Sequence, residues 1–382
     1  MSKFFLVVPP GIEDQTFKEL KLFLPTSQIN LDHGPGDEAL ELEGDLELLY
    51  KLNLWLRTPN RILMRLDSFY ANHFAELEKK ANKIPWENFL DRKSSIQIRT
   101  TCKKSKLYHS DAVSQRIHQS IETRIGARVK LIKTTVDENQ PTNVQLIVVR
   151  LVNDRVTVSL DSSGLPLYQR GYRQEINIAP LRENLAAALL LSSGWTHEQP
   201  LIDPFCGSGT IPIEASLMAR QIPPAYQRSF AFENWDNFNK SLLSQLRIQA
   251  KELSKSGPGA FIQASDRDAG AIQISANNAH RAGSSEWIEW KQQAVSAIEP
   301  PQPNGWIITN PPYGGRVSSG TDLRNLYAQL GNVLRKKFFG WEILFLTNDA
   351  ELAHQTRLTL QPGIQFSNGG IPVKAYYSKI TS

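Results

Sequence analysis

At 382 residues, 41% hydrophobic and 21% charged, the chain is long enough for two or three units with sizeable cores and too apolar for wholesale disorder. No apolar run approaches the roughly eighteen residues of a membrane span, and a net charge of +5 is mild. Two cysteines, Cys102 and Cys206, make neither a disulfide framework nor a metal cluster, which suits a reducing cytoplasm. The N-terminal MSKFFLVVPPG reads as a strand that turns at Pro9-Pro10-Gly11, not as a secretory leader.

Strands are expected over 3–8 and 39–42, with a helix over 14–24 between them. Asp45 can cap a second helix in LELLYKLNLWLR, which stops before Pro59. With the strand RILMRLDSF these make a small α+β unit, residues 1–67. A second unit, 68–164, begins with a helix over 75–83 and the alternating strand SSIQIRTTC, in which Ile96 and Ile98 share a side. After the turn Lys103-Lys104-Ser105-Lys106, Ser110 can cap a helix whose Val113, Ile117, Ile121 and Ile125 line one face. Arg116 and Arg124 lie on its other face, and the strands VQLIVVRLVND and RVTVSLDSSG follow. Residues 92–133 carry eleven Lys/Arg against Asp111 and Glu122, so the remainder of the chain is net acidic. That asymmetry points to an anionic partner held by this unit, a solvated helix face being the plainer alternative. His109 and His118 have no second ligand at metal spacing, and no metal site is expected.

The third unit, 165–382, opens with a helix that carries Pro180 in its first turn and runs to Ser193. LIDPFCGSGTIPIEA then reads as a strand ending at Asp203, a tight turn from Gly207 to Gly209 and a helix opening at Thr210. This arrangement puts amide N–H groups and a positive helix end at the carboxyl edge of a strand, where a nucleotide-like cofactor sits. The next acidic residue at a strand end, Asp266, lies about sixty residues on instead of about twenty, and Pro212 takes the place of the third fingerprint glycine, so NAD is disfavoured. GWIITNPPYGGR is a strand over 306–309 that ends in Asn310-Pro311-Pro312-Tyr313. The strands FIQAS, WIEWK, WIITN and EILFLTN alternate with helices, one of them over 240–255, as in a doubly wound sheet. An aromatic insertion, QIPPAYQRSFAFENWDNFN, interrupts the alternation, and FSNGGIPVKAYYSKI reads as a terminal hairpin.

With GDLELLYKLNLWLRTPNRIL, RGYRQEINIAPLRENLAAALLLSSGW, FAFENW and YAQLGNVLRKKFFGW added to these motifs, nearly every segment resembles the THUMP-domain, class I S-adenosylmethionine-dependent RNA guanine-N2-methyltransferases. The N-terminal half of the bifunctional bacterial 23S rRNA enzymes is the best match in order and spacing. The resemblance implies a ferredoxin-like domain over 1–67, a THUMP RNA-binding domain over 68–164 and a Rossmann-like methyltransferase domain over 165–382. It implies S-adenosylmethionine as cofactor, held by Asp203, Phe205, Gly207, Gly209, Asp266, Gln293 and Asn310. Asp203 would hold the amino end and the amides from Cys206 to Thr210 the carboxylate. Asp266 would accept both ribose hydroxyls, a helix cap being its plainer reading. Gln293 stands where such enzymes carry an acidic residue, and its carbonyl can still accept the adenine amino group.

Catalysis would rest on Asn310, Pro311 and Tyr313. Asn310 Oδ1 and the Pro311 carbonyl would accept the two hydrogens of guanine N2, and Tyr313 would stack on the flipped base. Arg99, Lys103, Lys104, Lys106, Arg116 and Arg128 are the candidate RNA contacts, and Tyr108 either stacks on a base or is partly buried. The chain stops at Ser382, so only one of the two reactions of the bifunctional enzymes is expected. 23S rRNA is favoured over tRNA. An adenine-N6-methyltransferase and a non-catalytic RNA-binding factor are the competing readings.

Overall fold

The computed structural model describes residues 2–22, 24, 29–34, 37–133, 144–175, 181–254, 260–314 and 323–381; Pro180 itself lies outside them, but the expected helix begins only at Glu183, after an extended Arg182, so Pro180 is not in its first turn. The first half builds β1 (Ser2–Val7), α1 (Glu13–Lys21), β2 (Ile29–Gly34), β3 (Asp37–Gly44), α2 (Leu46–Trp55), β4 (Arg61–Tyr70), α3 (Phe74–Ala81), β5 (Ser95–Lys103), α4 (Ser110–Ile125), β6 (Lys130–Leu131), β7 (Val144–Val152) and β8 (Arg155–Asp161). The strands form one eight-stranded sheet in the order β2-β3-β1-β4-β8-β7-β5-β6. The seam is the antiparallel pair β4 and β8, from Leu63 opposite Asp161 to Tyr70 opposite Arg155. The two units expected at 1–67 and 68–164 therefore share a sheet. Alternation sets which face is covered: Phe4, Leu6, Ile62, Met64, Ile96, Ile147, Val149, Val156 and Val158 all enter one core with the helices.

Local signals set the helix ends. Asp45 caps α2, its carboxylate accepting the Leu48 N–H at 2.9 Å, as the sequence indicates. Ser110 does not cap α4; it is the first helical residue, and His109 precedes it without a side-chain cap bond. The helix ends at Gly126, whose φ of +67° only glycine adopts without cost.

The second half builds α5 (Glu183–Ser193), β9 (Leu201–Asp203), α6 (Thr210–Ala219), α7 (Lys240–Leu253), β10 (Ile262–Asp266), α8 (Ala269–Arg281), β11 (Glu289–Gln292), β12 (Trp306–Thr309), α9 (Arg324–Lys337), β13 (Glu342–Thr347), α10 (Ala350–Gln355), β14 (Gln361–Asn368) and β15 (Ile371–Lys379). Its sheet has the order β11-β10-β9-β12-β13-β15-β14. The first five strands are parallel, and β15 pairs antiparallel with both neighbours, forming the expected terminal hairpin with β14. Strand order reverses between β9 and β12, so the crevice at their carboxyl ends is where an open sheet of this kind binds a ligand. Both faces are covered: Ile202, Ile307 and Ile343 pack on the α9 side, and Leu201, Trp306, Ile308 and Leu344 pack against the core that holds α5 and α6. No helix among the described residues is long and apolar enough to cross a membrane.

The aromatic insertion departs from the expected division at 164/165. Phe230, Phe232 and Trp235, followed by Leu243, Leu246 and Ala250 of α7, are buried in the core of the first sheet, not of the second. Phe232 stacks on Tyr50 at 4.3 Å between ring centroids, and Trp235 donates its indole N–H to Gln145 Oε1 at 2.8 Å. Each such ring, taken out of water, contributes ~4 kcal/mol as an upper estimate. Residue 164 thus ends a sheet but not a core.

Candidate active site

Three strand ends converge at the switch point. Asp203 ends β9 at 1% exposure, Asp266 ends β10, and Asn310 follows β12. Thr309 Oγ1 donates to Asp203 Oδ1 at 2.6 Å, which ties β12 to β9 across the crevice, and the Phe205 N–H donates to the same oxygen at 3.2 Å. Burial pushes the Asp203 carboxyl up to about 7, against the lowering effect of those two hydrogen bonds; neighbouring Asp266 adds to the rise.

The turn from Cys206 to Gly209 is braced from two sides. The Gly207 N–H donates to Asp266 Oδ2 at 3.2 Å, the Cys206 N–H to the Ser265 carbonyl at 3.0 Å and the Gly209 N–H to the Cys206 carbonyl at 2.7 Å. From α8, Ser275 Oγ donates to the Gly207 carbonyl at 2.8 Å and Asn278 Nδ2 to the Ser208 carbonyl at 3.1 Å. A Cβ on Gly209, where φ is +81°, would come within 3.1 Å of Ser275 Cβ and Trp290 Cη2. At Gly207, φ +54°, a Cβ would meet nothing within 4 Å and would stand in open space. Glycine at 209 is demanded by the protein, and at 207 by backbone conformation with room beside it. The amides of residues 206, 207 and 209 hold the turn itself. The expectation that all five amides from Cys206 to Thr210 meet a carboxylate is corrected accordingly.

Asp266 is not a helix cap. That role falls to Asp268, which accepts the Gly270 N–H at 2.8 Å, whereas Asp266 accepts the Asp268 N–H on Oδ1 at 3.0 Å. Each carboxylate oxygen keeps a lone pair for a further donor. Gln293 follows β11 with its N–H on the Asp266 carbonyl at 3.0 Å. Its Nε2 is buried with no partner among the described residues, so the side chain as placed offers a donor, and the expected acceptor role requires the amide turned over.

Asn310 Oδ1 is also buried without a hydrogen-bond partner among the described residues. Native proteins seldom leave such an acceptor unused, and a ligand is one of the few explanations. The following residues are anchored: Tyr327 Oη donates to the Pro312 carbonyl at 3.2 Å, and Asn368 Nδ2 donates to Tyr313 Oη at 3.1 Å. Tyr313 is 5% exposed and packs in the core of the second sheet. It holds the Asn-Pro-Pro segment onto β14 in this form and presents no open ring face, which departs from the stacking expected of it.

The partners that sequence reasoning missed are Thr309, Ser275 and Asn278, together with a buried charged cluster behind the site. Glu214 on α6, 0% exposed, receives Tyr172 Oη at 3.1 Å and faces Arg57 and Arg170, each at 3.6 Å. Arg57 comes from the first sheet's unit, and its Nη2 also donates to the Ile222 carbonyl at 2.5 Å. Ser275 and Asn278 share a face of α8 at spacing three; polar residues on the inner side of a helix beside a glycine turn were the available signal. Among the RNA candidates, Lys103, Lys104, Lys106 and Arg128 are exposed or half-exposed, Arg99 lies on β5, and Arg116 is paired with Glu78 at 2.8 Å.

Comparison with known proteins finds three consecutive family models. Residues 3–63 match the RlmL ferredoxin-like domain, 71–161 the THUMP domain, and 170–371 the RMKL-like methyltransferase domain. The chain belongs to the RMKL-like methyltransferase family. A cyanobacterial relative, "Putative RNA methyltransferase slr0064" of Synechocystis, is 34% identical over 97% of this chain and 94% of its own length. The ribosomal RNA large subunit methyltransferase K/L of Shewanella frigidimarina is 32% identical over 97% of this chain, which spans 52% of that longer protein. The crystal structure of SMU.472 complexed with SAH superposes with a TM-score of 0.84 at 28% identity, covering 100% of this chain and 98% of that one. The class I methyltransferase fold preceded by ferredoxin-like and THUMP domains is thereby established, and S-adenosylmethionine is the cofactor of the family. The residues at the switch point fit it: open space at Gly207, an orphaned donor on Gln293 and unused carboxylate lone pairs on Asp266.

Proposed function

We propose that this S-adenosylmethionine-dependent RNA methyltransferase transfers a methyl group to the exocyclic N2 of a guanine in 23S rRNA. The observation that supports an exocyclic amino group as the target is the Oδ1 of Asn310, unpartnered among the described residues at the switch point; guanine N2 over adenine N6 follows the resemblance of the sequence motifs. When bound, the cofactor supplies an electrophilic methyl group on a sulfonium. Guanine N2 is a poor nucleophile because its lone pair is delocalised into the ring. Asn310 Oδ1 and the Pro311 carbonyl accept its two hydrogens, which favours a pyramidal nitrogen with an available lone pair. A ring nitrogen would leave one of these acceptors unpaired. Pro311 holds Asn310 in extended geometry, so the acceptor is pre-set.

Asp203 is assigned to the amino end of the cofactor, the Ser208 and Thr210 amides at the head of α6 to its carboxylate, Asp266 to the ribose, and Gln293 with Phe205 to the adenine. Asp266 thereby links two functions, since the carboxylate that bonds the ribose also fixes Gly207. The choice of 23S rRNA rests on likeness to the K/L enzyme over 97% of this chain; tRNA is the runner-up. Nucleoside mass spectrometry of rRNA and tRNA from a deletion strain, complemented with wild type or Asn310→Ala, tests both assignments. Loss of N2-methylguanine from 23S rRNA, restored only by wild type, is expected. Loss from tRNA alone gives the runner-up substrate, and loss of N6-methyladenine instead overturns the base assignment.

A further inference from the structure

The terminal hairpin reaches over the candidate active site. Thr347, the last residue of β13, pairs with Lys374 of β15, and the hairpin turns three residues beyond that pair, where Asn368 pairs with Ile371. At about 3.3 Å per residue the tip overhangs the carboxyl edge of β13 by about 10 Å. That is the edge at which Asn310 follows β12, the parallel neighbour of β13. Gly369 at φ +58° and Gly370 at φ +83° both lie in the left-handed region, which gives the tight two-residue turn whose twist matches a strand pair. A tip closed this tightly is a fixed point.

Asn368 is 1% exposed, and its Nδ2 donates to Tyr313 Oη at 3.1 Å. Tyr313 lies in the same core as Phe366 and Val373 of the hairpin. The segment from Thr309 to Tyr313 has few soft torsions, because Pro311 and Pro312 each fix φ. It is held on both sides of the two acceptors. Thr309 Oγ1 donates to Asp203 before them, and Tyr327 Oη donates to the Pro312 carbonyl after them. In so stiff a segment, the place where the tyrosine hydroxyl is tied sets where Asn310 Oδ1 and the Pro311 carbonyl stand.

We propose that Asn368 is a positioning residue for methyl transfer: it ties the Tyr313 hydroxyl to the hairpin tip, and Tyr313 acts through that tie on Asn310 and Pro311 instead of stacking on the base. The inference rests on the acceptor roles given to Asn310 and Pro311 above and adds what sets them. A stacking tyrosine would have to give up a buried hydrogen bond and leave the core before each turnover. The two roles make opposite demands. A stacking ring needs no hydroxyl and gains from release by Asn368, whereas the tie needs the hydroxyl and Asn368 together.

Steady-state methylation of total rRNA and tRNA from the deletion strain by the full-length protein, read as N2-methylguanine, tests the tie. Tyr313→Phe keeps the ring and should lower kcat about tenfold, as should Asn368→Ala, because a misplacement of about 1 Å at the reacting groups costs up to about 10²-fold. KM for S-adenosylmethionine and for RNA should stay within about twofold, since neither residue is assigned a contact with either. The double variant should lose no more than the worse single one, because both changes remove the same bond. Tyr377→Phe is the control for a hydroxyl lost elsewhere on the hairpin: its Oη donates to Glu342 Oε2 at 2.8 Å, far from the tip, and its kcat should match wild type. Thermal melts and the stoichiometry of cofactor binding give the folded fraction by which each kcat is corrected. Wild-type kcat in Tyr313→Phe, a kcat in Asn368→Ala equal to or above wild type, multiplied losses in the double variant, or an equal loss in Tyr377→Phe overturns the tie and leaves the proposed function standing. Absence of N2-methylguanine with the wild type overturns the proposed function and the tie with it.

Discussion

Replacing Asn310 by alanine should damage activity while leaving the protein at least as stable as before. The buried Oδ1 has no partner among the described residues. An unsatisfied buried acceptor costs about 1–3 kcal/mol of desolvation, and truncation removes that cost along with some packing of a half-buried side chain. The net expectation is a gain of about 1 kcal/mol, which raises the melting temperature by about 2–4 °C for a unit of this size. The same oxygen is assigned to the amine in the transition state. Losing one preorganised hydrogen bond at a developing charge lowers kcat by about 10²–10³, with cofactor affinity within about twofold because other groups are assigned to most of its contacts. Thermal melts of wild type and Asn310→Ala, with single-turnover methylation of total rRNA from the deletion strain, measure both. A variant that is fully active, or one that is inactive because it is destabilised by more than about 1 kcal/mol, refutes the reasoning.

Asp266→Ala should weaken S-adenosylmethionine binding at least about tenfold in calorimetry, since a charged hydrogen bond contributes about 1.5–3 kcal/mol; unchanged affinity removes the ribose assignment. Cofactor affinity should also fall with acidity. The Asp203 carboxyl, raised to about 7 by burial, must be ionised to hold an ammonium group, so protonation as pH drops through 7 opposes binding. Titrations at pH 5.5 and 7 should differ by on the order of tenfold, and a flat profile would mean that Asp203 does not meet the amino group. Gly331→Ala should destabilise by about 1–3 kcal/mol despite the ~1 kcal/mol helix-propensity gain. Its Cβ would lie 1.9 Å from the Thr356 carbonyl oxygen, so α9 and the segment after α10 would have to separate. An increase in melting temperature would contradict that contact.

The strand, turn and helix at Asp203–Thr210, the acid ending β10 and Asn310 after β12 were legible because each is a local pattern with its own backbone signature. What sequence did not yield is side-chain reach across elements. Thr309 on Asp203, Asn278 on the glycine turn and Arg57 near Glu214 pair residues about 70 to 160 positions apart, and nothing in periodicity reports such pairs. Tyr313 shows the complementary limit: its motif suggests a stacking face, whereas Asn368 on the terminal hairpin engages its hydroxyl and the core covers its ring. Arg116 was chosen from its place on a helix face, and Glu78 on a neighbouring helix changed what that face offers. No strand is expected from sequence at β2: INLDHG alternates only over the four residues Ile29 to Asp32, ends in polar His33 and Gly34, and has a single β-branched residue.

The aromatic insertion has a consequence for synthesis on the ribosome. The first sheet is complete in sequence by Asp161, yet its core waits for Phe230, Phe232, Trp235 and the buried face of α7 up to Ala250. At about 5–20 residues per second, the intervening stretch takes roughly 4–18 s to emerge. Throughout that interval Tyr50 lacks the ring that stacks on it and Gln145 lacks its indole donor. The nascent N-terminal half thus keeps part of its core uncovered until α7 has left the tunnel. A fragment cut at residue 165 would inherit the converse defect, an exposed aromatic face with nothing to cover it, and would aggregate before its chemistry could be measured.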